Sequence, residues 1–116
     1  MLFSIIGTGN MAWFMARRLL SAGHTCLAVY GRNQLAVNEL AREVNAAPVY
    51  NLADIKDNAD ACIIAISDHE IEHIASLISF PHTVVIHTAG AIDSSVLAKA
   101  GPNYGVLWPA YSLLQS

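Results

Sequence analysis

The chain has 116 residues, of which 54% are hydrophobic and 13% are charged, and its formal net charge is −3. This length suits a single compact domain spanning residues 1–116. Because no basic cluster exceeds the pair Arg17 and Arg18, and no apolar run approaches the about 20 residues of a membrane span, neither nucleic acid nor a membrane is expected as a partner.

The first predicted strand, Phe3 to Ile6, leads into a G-x-G-x-x-A segment formed by Gly7, Gly9 and Ala12. Dinucleotide-binding turns need this order. The first glycine permits the tight turn, the second lets the backbone approach a pyrophosphate, and the small third residue lets the helix pack on the strand. The helix N-terminus then directs free N–H groups at the phosphates.

The pattern therefore predicts a dinucleotide site, with an ordinary strand–turn–helix as the alternative. Asn10 is the expected N-cap of the first helix. The residues expected to hold the pyrophosphate are Gly7, Thr8, Gly9, Asn10 and Met11.

Strand and helix patterns then alternate along the chain. The predicted elements are helix 11–22, strand 25–30, helix 35–44, strand 48–50, one or two helical turns in 52–58, strand 61–66, helix 69–78, strand 83–87, helix 94–100 and strand 104–107. This alternation predicts an α/β Rossmann domain of three layers, with a mostly parallel sheet of about six strands in the order 3-2-1-4-5-6. The cofactor is expected where strands one and four diverge.

The two cysteines, Cys26 and Cys62, lie in separate apolar strand patterns. They are interpreted as small buried hydrophobes in a reducing compartment, and not as a disulfide or a metal pair. The glycine motif also begins too early to leave room for a signal peptide, so a cytoplasmic location is expected.

The end of the second predicted strand indicates which dinucleotide binds. No Asp or Glu occurs from Asn10 to Asn38, so the carboxylate that usually accepts the ribose 2′-hydroxyl of NAD is missing there. Arg32 and Asn33 stand at that place instead, and an arginine can pair with a 2′-phosphate. The pattern favours NADP over NAD, the alternative being that Arg32 is a solvated loop residue.

The segment from His69 to His73 fits the zinc-protease string H-E-x-x-H. A metal site is nevertheless not predicted. The string begins directly after a strand, and Ser67 followed by Glu70 is typical of a capping box in the first turn of a helix.

Polar residues near the nicotinamide are expected at the carboxyl ends of the fourth and fifth strands. Ser67 and Asp68 follow the fourth strand, and His87 and Gly90 follow the fifth. His87 is a candidate for orienting substrate or donating a proton, with a histidine satisfied by local backbone groups as the alternative. Asp68 is a weaker catalytic candidate because it also suits a helix cap.

Residues 5–12 resemble the G-x-G-N-M-A opening of pyrroline-5-carboxylate reductases and of coenzyme-F420-dependent NADP oxidoreductases. Segments 87–91 and 105–109 are similar to the H-T-S-G and G-x-x-H-P segments of Rossmann-like proteins of the DUF2520 type. Ala89 stands where those proteins usually have Ser, and Trp108 where they usually have His. The resemblance implies an all-helical C-terminal domain that forms a homodimer and completes the active site, so the chain is expected to be the N-terminal part of a longer protein.

These observations together predict an NADP-dependent oxidoreductase domain. It would support hydride transfer to or from a small substrate with a C=N or C=O group. The alternative is a non-catalytic nucleotide-binding or sensing module, which the apolar residues Ala89 and Trp108 favour.

Overall fold

A computed structural model describes residues 1–89 and 93–106 and shows an α/β fold built on one six-stranded sheet. The strands are β1 (Leu2–Ile6), β2 (Thr25–Tyr30), β3 (Ala47–Val49), β4 (Ala61–Ile64), β5 (Val84–His87) and β6 (Tyr104–Val106). The helices are α1 (Asn10–Ser21), α2 (Gln34–Glu43) and α3 (Asp68–Leu77), with 3₁₀ turns at Leu52–Asp54 and Ser94–Leu97. All neighbouring strands are parallel, and their order is β3-β2-β1-β4-β5-β6, which confirms the predicted topology.

Helices α1 and α2 cover one face of the sheet. Phe3 and Ile5 of β1 point to this face and are fully buried against a cluster that includes Ala16 of α1 and Leu40 of α2. The spacing of three and four between the apolar residues of α2 produced the prediction of its buried face, and Val37, Leu40, Ala41 and Val44 are indeed buried.

The opposite face is covered by α3 and the second 3₁₀ turn. Ile6 and Ile64 point to this side and pack with Ile71 and Ala75 of α3 and with Leu97. The two faces explain why β4 is buried along its whole length, as expected for a central parallel strand. β1 lies between β2 and β4. The helix that follows β1 and the helix that follows β4 cover opposite faces of the sheet, so a crevice opens between them at the carboxyl end of β1.

Both cysteines are buried, as the sequence pattern predicts. Both are free thiols, and they belong to clusters on opposite faces of the sheet. Burial raises the pKa of Cys26 and of Cys62 to about 12.

Several element boundaries differ from the predictions. Each α-helix begins and ends one residue earlier than expected. The predicted N-cap, Asn10, is wrong, because Gly9 holds that position without a side-chain hydrogen bond and Asn10 is the first helical residue. Strand β4 ends at Ile64 and not at Ile66, since the chain turns away after Ala65, whose N–H still donates to the carbonyl of Ile6 at 2.8 Å.

Two further expectations concern the later part of the chain, and a third concerns membrane spans. The predicted helix 94–100 is a 3₁₀ turn, Ser94–Leu97, and the side chain of Asp93 caps it by accepting from the N–H of Ser95. The sixth strand is described as far as Val106, so the predicted end at residue 107 lies outside the described residues. Within the described residues, no helix combines the length and apolarity that crossing a bilayer requires.

Candidate functional site

The turn after β1 is held in place by the two neighbouring strands. The N–H of Gly7 donates to the carbonyl of Tyr30, at the end of β2, at 2.8 Å. Gly7 has a φ of +122°, and a Cβ at this position would overlap the backbone carbonyl of Ala65 beyond β4. The backbone angle and the lack of space therefore both require glycine at this turn, as predicted.

Gly9 differs, because a Cβ there would meet no protein atom within 4 Å. The open space lies at the N-terminus of α1, where Trp13 is the first residue whose N–H donates to a helical carbonyl, that of Gly9, at 3.0 Å. The preceding N–H groups of the first turn have no intrahelical acceptor. Ala12 is fully buried, as the close packing of helix on strand requires. This is the arrangement in which backbone donors can receive a phosphate group.

Two adjoining clefts lie along the carboxyl edge of the sheet. The larger, of about 620 Å³, extends from the glycine turn across the ends of β2 and β3, and the smaller, of about 340 Å³, lies over the start of α1. They share Thr8, Ile66 and Glu70. Of the residues predicted to bind the cofactor, the larger cleft is lined by Gly7, Thr8, Arg32 and Asn33, and the smaller by Thr8, Gly9, Asn10, Met11 and Ser67. Most of the predicted set therefore lies in one continuous groove.

Arg32 forms an ion pair with Glu70 across this groove. The Arg32 side chain is 75% exposed and that of Glu70 is 27% exposed. The capping box predicted from Ser67 and Glu70 is wrong in its side-chain part. Ser67 is the N-cap of α3, but its side chain forms no cap bond. The hydrogen bond between the two residues joins backbone groups, with the N–H of Glu70 donating to the carbonyl of Ser67 at 2.9 Å.

Asn33 lines the larger cleft and also caps a helix. Its Oδ1 accepts from the N–H of Ala36 at 3.1 Å and so caps α2. That bond uses the oxygen of the side-chain amide and not its nitrogen.

Sequence reasoning missed the contribution of the loop after β3 and of the outer turns of α3. Tyr50 and Asn51 line the larger cleft from one side, and His73 and Leu77 line it from the other. The Tyr50 hydroxyl also donates to Oδ1 of Asn38 on α2. The predicted strand order would have revealed Tyr50 and Asn51, since it places the end of β3 beside the end of β2, close to Arg32.

Of the candidates for the nicotinamide end, Ser67 lines the smaller cleft, whereas His87 and Asp68 line neither cleft. His87 is fully buried, and its Nδ1 accepts from the N–H of Ala89 at 3.1 Å. A neutral ring with this bond carries its proton on Nε2, which has no hydrogen-bond partner among the described residues. Asp68 is exposed and lines neither cleft, and Gly90 lies outside the described residues. The roles of these three residues stay predictions.

One further acid lies near His87. Hydrogen bonds from the backbone N–H and the side chain of Ser95 lower the pKa of Asp93. Asp93 was not predicted as a site residue, because the sequence shows it only as an acid before a short helix.

The H-E-x-x-H segment forms the first turns of α3, as expected. His69 and His73 are both exposed, and His73 faces the larger cleft. Across residues 1–89 and 93–106, no three or more His, Cys, Asp or Glu side chains are grouped as metal ligands would be.

Comparison with solved structures finds the same fold in several other proteins. A candidate NADP oxidoreductase from Bacteroides fragilis is 30% identical, with a TM-score of 0.80, over 90% of this chain and 42% of that one. The 1-pyrroline-5-carboxylate reductase of Streptococcus pyogenes is 24% identical, with a TM-score of 0.71, over 87% of this chain and 38% of that one. The prephenate dehydrogenase of A. aeolicus, solved with NAD⁺, is 16% identical, with a TM-score of 0.71, over 86% of this chain and 39% of that one.

The last two likenesses show a shared fold, and the chain spans about two fifths of the length of these structures. Among curated protein sequences, none matches the chain. The family model described as NADP oxidoreductase, coenzyme F420-dependent, matches residues 3–90. Together with the glycine turn and the groove, the match implies a nicotinamide dinucleotide as cofactor. The chain belongs to the coenzyme F420-dependent NADP oxidoreductase family.

Proposed function

We propose that this domain binds NADP(H) in preference to NAD(H), and that the protein containing it transfers hydride to or from a small molecule with a C=N or C=O group. The observation that carries the cofactor preference is the position of Arg32. It lies two residues after the end of β2 and lines the larger cleft, while no Asp or Glu occurs between Asn10 and Asn38. A guanidinium at this place suits a 2′-phosphate, whereas a carboxylate would suit a free ribose hydroxyl.

The residues present fit the diphosphate of such a cofactor. The space above Gly9 is open, and the N–H groups of the first turn of α1 border it. The first turn of α1 contains no acidic residue that would repel a phosphate. We assign the diphosphate to the turn of Gly7, Thr8 and Gly9 with Asn10 and Met11, and the adenosine phosphate to Arg32 and Asn33.

The bound cofactor would supply the hydride, and the chain would bind and orient it. On this proposal Ser67, His87 and Gly90 lie on the nicotinamide side. Ser67 follows β4, which neighbours β1, and His87 and Gly90 stand at and after the end of β5, the next strand beyond β4. His87 holds one proton on Nε2 with no partner among the described residues. That proton makes His87 the better candidate for proton donation, and Asp68 the weaker one, since it lies at the exposed start of α3.

The cofactor preference can be tested by titrating the chain with NADPH and with NADH and following heat or tryptophan fluorescence. Arg32→Ala should weaken NADPH binding by about tenfold or more, the size expected for losing a charged hydrogen bond to phosphate, and leave NADH binding nearly unchanged. Arg42→Ala is the matched control, because Arg42 lies in the last turn of α2 and lines neither cleft. Equal affinities for NADPH and NADH in the unmodified chain would contradict the proposal.

We further propose kinship with proteins of the DUF2520 type and an all-helical C-terminal domain that forms a homodimer and completes the pocket. Support comes from segments 87–91 and 105–109 of the sequence and from the greater length of the matched structures. The mass of the native gene product tests this part, and a value of 12.4 kDa, the mass of this chain, would contradict it.

A non-catalytic nucleotide-binding or sensing module is the second candidate. Ala89 favours it, because its backbone N–H donates to His87 while its side chain offers no hydroxyl. NADPH consumption by the full-length protein with coenzyme F420, a cyclic imine or a keto acid would support the enzyme. Tight binding of NADPH without turnover of these substrate classes would support the module.

A further inference from the structure

The groove that we assign to the dinucleotide holds one opposing pair of charges. Among the described residues that line the two clefts, Glu70 carries the one carboxylate and Arg32 the one permanent cation. The two side chains form an ion pair, so the guanidinium that we assign to the adenosine phosphate already has a carboxylate partner.

Glu70 also occupies a central position. It lines both clefts, whereas Arg32 lines only the larger one. A dinucleotide with its adenosine in the larger cleft and its diphosphate over the start of α1 would have this carboxylate beside its path. A like charge close to a phosphate raises the free energy of binding.

The orientation of Glu70 is a specific feature and not a consequence of helix capping. As the third residue of α3 it could accept from the backbone N–H of Ser67, yet its side chain reaches across the groove to Arg32. The Arg32 side chain is 75% exposed, and an ion pair with so much contact to water is weak. A phosphate group, with up to two negative charges and three acceptor oxygens, can replace a single carboxylate as the partner of a guanidinium.

We propose that Glu70 is a specificity-determining residue that competes with the cofactor 2′-phosphate for Arg32. In the ligand-free chain Glu70 occupies the guanidinium, and binding of NADP releases it. The competition lowers the preference for NADP over NAD below the level that Arg32 alone would give. This inference rests on the proposed function, because it requires a nicotinamide dinucleotide in the groove.

The test compares the binding of NADP⁺ and NAD⁺, which differ only in the 2′-phosphate, to the unmodified chain and to Glu70→Gln by calorimetry. Glu70→Gln should lower the Kd of NADP⁺ by about fivefold, the size of a surface ion pair, and change that of NAD⁺ by less than about twofold. In an Arg32→Ala background the same substitution should no longer favour NADP⁺. Glu70→Ala should act in the same direction, which guards against a peculiarity of the glutamine side chain.

Glu72→Gln is the matched control. It removes the same charge from the same helix, but Glu72 is exposed and lines neither cleft, so both Kd values should stay within about twofold. Weaker NADP⁺ binding by Glu70→Gln would overturn the inference, since Glu70 would then orient Arg32. Selective loss of NAD⁺ binding would overturn it too, because Glu70 would then accept the ribose hydroxyl.

The two proposals fail in different ways. If the unmodified chain binds neither dinucleotide, the proposed function is wrong and the inference falls with it. If it binds NADP⁺ but Glu70→Gln behaves like Glu72→Gln, the proposed function stands and only the role of Glu70 is refuted.

Discussion

The backbone carbonyl of Ala65 occupies the space that a side chain on Gly7 would need. This contact joins the turn after β1 to the segment after β4, the two neighbouring strands between which the crevice opens. The same glycine has a φ of +122°, which side chains strongly disfavour. Gly7 therefore serves the fold itself, in addition to the ligand that the turn is proposed to hold.

Gly7→Ala should lower the free energy of unfolding by about 2–4 kcal/mol, because backbone strain and overlap with a rigid carbonyl add together. Urea denaturation followed by circular dichroism measures this change. A variant as stable as the unmodified chain would show that the turn can rearrange, and the geometric account of Gly7 would be wrong.

Gly9→Ser should have the opposite profile. Gly9 is the N-cap of α1 with a φ of −83°, and Ser is well suited to that position, so stability should change by no more than about 0.5 kcal/mol. The added side chain would enter the open space above the turn, and the affinity for NADPH should fall by about tenfold or more. Unchanged affinity would mean that the diphosphate does not pass Gly9. The pair of variants thus separates the structural glycine from the binding glycine.

The sheet order could be predicted from the sequence because its determinants are local. The four consecutive apolar residues of β4 are typical of a strand covered on both faces, and the spacing of Val37, Leu40 and Ala41 is typical of a helix with one buried side. The parallel order then follows from the alternation of strands and helices.

The details of the groove could not be predicted in the same way because they depend on distant partners. Ser67 and Glu70 fit a capping box by spacing, but the structure brings Arg32, in the loop after β2, within reach of Glu70, and a guanidinium is a stronger partner for a carboxylate than a backbone N–H. The contribution of Tyr50 is different, because the predicted strand order already places the loop after β3 beside the end of β2, where the cleft lies.

The two thiols should be inert in the native protein. Cys26 and Cys62 are at most 2% exposed, and burial raises the pKa of each to about 12. At pH 8 only about one thiol in ten thousand would be ionised, and the thiolate is the reactive form. Ellman's reagent should therefore react with neither thiol in the native chain and with both after unfolding in urea. Rapid reaction of one thiol without denaturant would contradict the described burial.

Asp57 should make the stability of the chain depend on pH in the acid range. Its carboxylate accepts from the backbone N–H groups of Thr83 at 2.8 Å and His82 at 3.1 Å and so fixes the segment before β5. Desolvation opposes ionisation, but contact with the Thr83 side chain and these two bonds outweigh it and lower the pKa of Asp57. A carboxyl group whose pKa is lower in the folded state contributes stability above its unfolded pKa of about 4 and loses it as the pH falls through the folded value.

Asp57→Asn should accordingly destabilise the chain at pH 7, and the difference from the unmodified chain should shrink as the pH falls below about 4. Urea denaturation at a series of pH values measures both quantities. Asp54→Asn, which removes the same charge from an exposed position in the same loop, should show a much smaller difference at neutral pH. A destabilisation by Asp57→Asn that is the same at every pH would mean that the carboxylate charge has no part in holding Thr83, and that shape alone fixes the start of β5.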